Sequence, residues 1–408
     1  MINNQLFHAL MHLIRELFKF DAPSDKLLSN FFRSNRKLSS SERSLIAETA
    51  YTILRNYYKL TLVLDNDIPN IIGLTWLKLM QLKASSFAAI KLIDYQKISK
   101  IEFQTDALST LELPEWLITE LEQSYSKNDI AKLAQSLQQE APLDLRVNLL
   151  KNNRATVLQE LQEFSPSKME FSPFGIRINN KTFLAKHKLF IDGCIEVQDE
   201  SSQLAGLLLN PKRNEIVVDF CAGSGGKALL FGMLMRNSGH IYAFDVNQKR
   251  LNNLTPRMNR SGLTNTHSTL IDSEFDTKLH RLYNKIDRVF VDAPCSGLGT
   301  LRRNPELKFR QSLHSIEELN IKQMSILQEA SKLLKPGGHL VYATCSIVKA
   351  ENQDIVEQFL LFNPDFTLVP ATQVLSNPKL KQNDSYLTLL PHIHHCDGFF
   401  AALLQKKH

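Results

Sequence analysis

Five short apolar runs, EIVVDF, HIYAFDV, STLID, DRVFVDA and HLVYATC, constrain the fold of this chain more than any other feature. Strands that lack a polar alternation are buried on both faces, as in a parallel sheet covered by helices on either side. Ser, Asn, Asp and Gly turns separate the runs, and two more candidate strands, FTLVP and GFFAALLQ, follow. From VQDESSQLAGLLLN onward the order is strand, loop, helix, repeated. Residues 196–408 are therefore expected to form a doubly wound α/β domain, with ligands at the carboxyl ends of its strands.

The preceding sequence has a different texture. Residues 1–138 read as helix after helix, with Gly73 the only glycine before Gly175. Ser39 and Glu42 have capping-box spacing, and Ile46, Ala50, Ile53, Leu54 and Tyr57 follow as a helical stripe. Residues 139–195 alternate like a strand in PLDLRVNLL, turn helical, and alternate again in FGIRINNKTFLA, which predicts a small α/β connecting subdomain. A chain of 408 residues is long enough for several such domains. The N-terminal MINNQLFHALMHLIRELFKF reads as an amphipathic helix and not as a signal peptide, because His8, His12, Arg15 and Glu16 interrupt it. No uncharged apolar stretch is long enough to cross a bilayer. The five cysteines are widely spaced, odd in number and without a Cys-x-x-Cys pair, which argues against a disulfide framework or structural zinc. A cytoplasmic monomer is expected. The formal charge of +6 permits a polyanionic partner.

Two constellations carry chemistry. VVDFCAGSGGKALLFGML is a strand, a glycine-rich turn and a helix, in which Gly223, Gly225 and Ala228 fit G-x-G-x-x-(G/A). Asp245 closes the next strand, where an acid binds ribose hydroxyls. These features point to a nucleotide-like cofactor and fit NAD, FAD and S-adenosylmethionine equally. Asp272 ends the run STLID, either as a hydrogen-bond acceptor for an adenine or as a solvated turn residue.

The second constellation is a pair of thiols. Cys295 follows Asp292-Ala-Pro at the end of the fourth run, and Cys345 follows Ala-Thr at the end of the fifth. One such cysteine is most simply a small buried apolar residue. Two on one sheet edge suit covalent catalysis on a pyrimidine: a thiolate adds at C6, C5 becomes nucleophilic, and a second thiol assists release. Asp292 would hold the N3/N4 edge of the base, as a proton donor.

With these residues, the sequence resembles the Sun-type (RsmB/Nop-type) S-adenosylmethionine-dependent RNA cytosine-5 methyltransferases. The matching stretches are VQDESSQLAGLLL, VVDFCAGSGGK, AFDVNQKRL, DAPCSGLGTLRRNPELKFR, LLKPGGHLVYATCSIVKAEN and DGFFAALLQKK. The helical half, with ERSLIAETAYTILR, resembles a NusB-like RNA-binding domain. The resemblance implies a Rossmann-like methyltransferase domain with a mostly parallel seven-stranded sheet and an antiparallel last strand. It further implies Cys345 as nucleophile, Cys295 in product release and Asp292 between cofactor and base. Cys221, Ala222, Gly223, Ser224, Gly225, Gly226, Lys227, Asp245, Arg250 and Asp272 would line the cofactor. The substrate implied is a cytidine in small-subunit ribosomal RNA. One departure stands out: the family's Cys-Ala-Ala-Pro-Gly-Gly-Lys loop reads CAGSGGK here, so the loop is expected to be less preorganised.

Arg302, Arg303, Lys308 and Arg310 follow the Cys295 loop as candidate phosphate contacts, or as a solvated basic loop. PHIHHCDGFF matches no common metal spacing and reads as a surface turn before the last strand, so no metal is expected. Two other classes compete with the methyltransferase. A nicotinamide dehydrogenase would leave both strand-end cysteines idle, and an RNA-binding assembly factor that had lost catalysis would have no use for Cys345, Cys295 and Asp292.

Overall fold

The computed structural model describes residues 2–103, 111–179, 183–375, 377, 380 and 385–408. The chain forms two compact units, residues 1–140 with 300–312, and residues 141–299 with 313–408. The segment Thr300–Ser312, assigned by sequence to the α/β domain, thus belongs to the helical unit.

In the helical unit the first helix, Asn4–Leu17, buries Leu6, Phe7, Leu10, Met11, Leu13, Ile14 and Leu17, as its apolar spacing predicts. Helix Ser40–Arg55 starts on the expected capping box: Ser39 Oγ accepts from the Glu42 amide at 3.3 Å, and Glu42 Oε2 accepts from the Ser39 amide at 2.8 Å. Its buried stripe is Ile46, Thr49, Ala50, Ile53 and Leu54. Tyr57 instead opens the next helix, Tyr57–Leu64, after a break at Asn56. Trp76 closes the core and donates from Nε1 to Thr49 Oγ1 at 2.8 Å, which satisfies both buried polar groups.

The second unit begins with a small antiparallel sheet of β1 (Leu143–Val147), β2 (Ser167–Lys168), β3 (Gly175–Ile178) and β4 (Ile195–Val197), in the order β2-β3-β1-β4. The large sheet follows: β5 (Ile216–Asp219), β6 (His240–Asp245), β7 (Thr266–Leu270), β8 (Ile286–Asp292), β9 (Leu334–Thr344), β10 (Phe366–Val369), β11 (Leu387–Leu389) and β12 (Phe399–Lys406). Its order is β10-β12-β9-β8-β5-β6-β7, with β11 beside β12. The neighbours from β9 to β7 pair in parallel, and β12 runs antiparallel between β9 and β10. Alternate residues feed two cores: Val217, Phe290, Val341 and Ala401 on one face, Val218, Val289, Tyr342 and Phe400 on the other. Burial on both faces is why these strands read as unbroken apolar runs.

Candidate active site

The glycine loop between β5 and helix Gly226–Leu234 is shaped by its own backbone. The Ala222 amide bonds to the Phe244 carbonyl and the Gly225 amide to the Ala222 carbonyl, both at 2.8 Å. Gly223 and Gly225 have φ of +56° and +81°, which L side chains rarely adopt. A Cβ on Gly225 would lie 2.0 Å from Leu254, whereas nothing lies within 4 Å of one on Gly223. The loop is therefore packed from below and open above Gly223.

Asp245, at the end of β6, accepts from the Gly223 amide at 2.8 Å and from the Asn247 amide at 2.7 Å, one on each oxygen. A carboxylate has about four acceptor positions, so both oxygens keep capacity for ribose hydroxyls. Exposed apolar side chains follow both strand ends, Val246 after β6 and Phe275 after β7. Open backbone, an acid with spare acceptors and exposed apolar groups fit a nucleoside-bearing cofactor. Arg250 is exposed in the first turn of helix Gln248–Ser261, which Asn247 caps. Asp272 is exposed too, two residues beyond β7 and not at its end.

The small sheet braces this loop, through residues that sequence reasoning missed. Arg257 donates to the Ser224 carbonyl at 2.6 Å and is held by Glu196 of β4 at 3.0 Å. Glu196 also pairs with Arg260. Arg146 of β1, buried, donates to Gln198 Oε1 at 2.7 Å and to the Gly226 carbonyl at 2.8 Å. Burial lowers its pKa to about 9. The only trace in the sequence was charge within otherwise apolar strands, LDLRV and IEV.

The two thiols meet as expected. Cys295 and Cys345 Sγ atoms lie 3.4 Å apart, beyond the paired ends of β8 and β9, where Asp292 sits opposite Ala343. The hydrogen bond to Cys345 and then burial push the Cys295 thiol well above its ordinary range. At this distance the two sulfurs can share a hydrogen bond, with either as the donor. Beside the pair, Lys227 Nζ donates to Asp292 Oδ2 at 2.5 Å, joining a cofactor-loop residue to the acid of the second constellation. Burial opposes the charge on Lys227, but Asp292 outweighs it and raises the pKa. In this pair Asp292 accepts from Lys227, whereas the sequence reading had it donate to the base. Cys221 is a different kind of thiol: burial, then Asp292 and Asp219, push it well above its ordinary range, so it packs and does not react.

The basic segment differs from its sequence reading. Within the helical unit Lys308 is buried, donates to the Glu112 carbonyl at 2.8 Å and lies 3.5 Å from the Glu112 carboxylate. Arg302 is buried as well, and its carbonyl accepts from Arg55 at 3.1 Å. These two are not exposed phosphate contacts, because their heads are enclosed by helices; Arg303 and Arg310 are half-buried. The histidine-rich stretch also departs from a surface turn: Pro391–His394 is a short helix, and His394 is buried and accepts from the Leu390 amide at 3.0 Å. Among the described residues no group of His, Cys, Asp and Glu could hold a metal ion. No described helix is long and apolar enough to cross a membrane.

The sheet order is that of a Rossmann-like domain, and the family matches make this an S-adenosylmethionine-dependent methyltransferase. The chain belongs to the RsmB/F family of 16S ribosomal RNA methyltransferases, whose model matches residues 206–405. A ferredoxin-like domain of RsmF/B-like methyltransferases matches residues 113–183. The probable ribosomal RNA small subunit methyltransferase B of Synechocystis sp. is 36% identical over 77% of this chain and 70% of its own. That of Bacillus subtilis is 30% identical over 98% of both. Among solved structures, PH0851 is similar with a TM-score of 0.81 and 28% identity, covering 100% of this chain and 99% of its own. NSun6 from Pyrococcus horikoshii, solved with the S-adenosylmethionine analogue SFG, shares the fold with a TM-score of 0.65 and 22% identity, over 72% of this chain and 99% of its own.

Proposed function

We propose that this protein methylates C5 of a cytidine in small-subunit ribosomal RNA, with Cys345 as the nucleophile. Bound S-adenosylmethionine supplies an electrophilic methyl group. The cytosine ring is too weak a nucleophile at C5 until a thiolate adds at C6, and Cys345 supplies that thiolate. Asp292 accepts from the N4 amino group, and the Lys227 ammonium beside it balances negative charge developing on the ring. Release requires loss of the C5 proton and cleavage of the C6–S bond. Cys295 donates its proton to the departing Cys345 sulfur, and the proton lost from C5, relayed by water, returns the Cys295 thiolate to the thiol. The glycine loop from Cys221 to Lys227, with Asp245, Arg250 and Asp272, holds the donor. Residues 1–138 act as a NusB-like RNA-binding domain and 139–195 as a connecting subdomain, while Arg303 and Arg310 meet phosphates. The target base leaves its stack at a cost of a few kcal/mol, which is smaller in a loop or open strand.

The observation that supports this reading most directly is the 3.4 Å approach of two thiols beside an ion-paired acid. Labelled methyl transfer to small-subunit RNA, mapped by bisulfite sequencing, tests it. Cys345→Ala is expected to abolish transfer, and turnover by that variant refutes the assignment. Cys295→Ala is expected to trap a protein–RNA adduct, seen as a shifted band on a denaturing gel. A folded Cys295→Ala protein without adduct moves the release role to another group.

A further inference from the structure

Near the two thiols lies a buried carboxylate that the reaction above does not use. Glu351 is fully enclosed, in the short turn Lys349–Glu351 after β9. Its Oε1 accepts from the Ser296 amide at 2.8 Å and from Gln323 Nε2 at 3.1 Å. Its Oε2 accepts from the hydroxyls of Ser296 and Ser346, each at 2.5 Å. These serines directly follow Cys295 and Cys345. One carboxylate therefore ties the loop after β8 to the loop after β9, immediately beside each sulfur. The turn that carries it is itself pinned: the Tyr342 hydroxyl donates to the Glu351 carbonyl at 2.7 Å, and Asn352 Nδ2 to the Ser346 carbonyl at 3.1 Å. A buried anion is tolerated when donors saturate it, and Glu351 has four.

We propose that Glu351 is a positioning residue for both thiols: it locks the Cys295–Ser296 and Cys345–Ser346 steps together and so sets the sulfur–sulfur separation on which adduct release depends. The proposal rests on the Cys345-adduct reading for its functional consequence, but its geometric content stands apart from that reading.

The test uses the full chain with Glu351→Ala and Glu351→Gln, the second of which keeps the side-chain shape and one acceptor oxygen. The first readout is the rate at which diamide oxidises Cys295 and Cys345 to a disulfide in the resting protein, followed by mass spectrometry without RNA. We expect Glu351→Ala to slow this by about tenfold or more, with Glu351→Gln between it and the parent protein. A general loosening of the fold would expose the thiols and speed oxidation, so slowing reports lost alignment. The second readout is single-turnover methylation: the rate is expected to fall about 10- to 100-fold, with a longer-lived adduct and donor affinity within about twofold. Parent-like oxidation rate and adduct lifetime in Glu351→Ala overturn the proposal. If that variant fails to fold, parent-like behaviour of Glu351→Gln in both readouts overturns it instead. Turnover by Cys345→Ala would refute the Cys345 reading alone, because the disulfide rate in the Glu351 variants still decides the clamp.

Discussion

Asp219 is a fully buried carboxyl group in the α/β unit. It closes β5 with no accessible surface, and neither carboxylate oxygen has a well-formed hydrogen bond. Burial, reinforced by Asp292 and opposed by Lys227, raises its pKa from 3.8 to about 7. The folded protein thus holds a proton that the unfolded chain has lost between about pH 4 and pH 7. That contribution to stability is present at low pH and disappears as pH rises through the folded pKa. Asp219→Asn is expected to melt higher than the parent at pH 8, by the equivalent of about 2–4 kcal/mol, with the gap narrowing as pH falls through about 7 and closing only below about pH 4. A gap independent of pH in thermal melts would contradict this. Residues of this kind divide by how legible they are in sequence. Cys295 and Cys345 could be paired from sequence because each ends an apolar run, and run ends share a sheet edge. Pairing Lys227 with Asp292, or Glu351 with Ser296, needed the strand order β9-β8-β5 and the side-chain directions within it. Glu351 carried only the faint signal of an acid six residues past Cys345 in TCSIVKAEN.

At the scale of elements, seven strands of the large sheet were readable, the central ones because burial on both faces makes a strand apolar throughout. The failures have physical causes as well. β7 is the edge strand, with His267 and Ser268 exposed, so its true extent, Thr266–Leu270, lies two residues before the apolar run that predicted it. β11 is a three-residue strand paired with β12, too short to show a period. The small sheet was legible as alternating segments, but its second role was not. β1 and β4 carry Arg146 and Glu196 to the glycine loop, where Arg257 reaches the Ser224 carbonyl. With Ser224 in place of the proline that the resemblance implies, φ at this position is not fixed by a ring, and side chains hold the loop carbonyls from outside. Arg257→Ala is expected to weaken S-adenosylmethionine binding about 5- to 30-fold, the worth of about 1–2 kcal/mol, because a charged donor to the loop is lost. The rate at saturating donor should stay within about twofold. Calorimetric titration checks the first effect, and an unchanged Kd would show that the loop is rigid without the brace.

At the scale of the whole chain, the unexpected feature is the passage of residues 300–312 into the helical unit. Local pattern assigned LRRNPELKFR to a basic active-edge loop because four cations follow the Cys295 loop. Its apolar members decide otherwise: Phe309 stacks on Phe20 at 4.3 Å between ring centroids and meets Tyr57 at 4.7 Å. Lys308 follows Phe309 inward and meets Glu112, whose carboxylate accepts from the Tyr58 and Lys59 amides at the start of helix Tyr57–Leu64. Burial lowers the pKa of Lys308 to about 8 and raises that of Glu112, so each depends on the other to stay charged. A phosphate contact and a buried counter-ion make opposite predictions. Lys308→Met removes the partner of a buried carboxylate and is expected to cost about 3 kcal/mol in thermal or urea unfolding, with faster hydrogen exchange in residues 57–64. The slope of log affinity for RNA against log salt should not change. Arg310→Gln should do the reverse, leaving stability within about 0.5 kcal/mol and reducing that slope by about one. Should Lys308→Met shift the salt slope while leaving unfolding untouched, its ammonium faces RNA and not Glu112, and the helical unit is held by its rings alone.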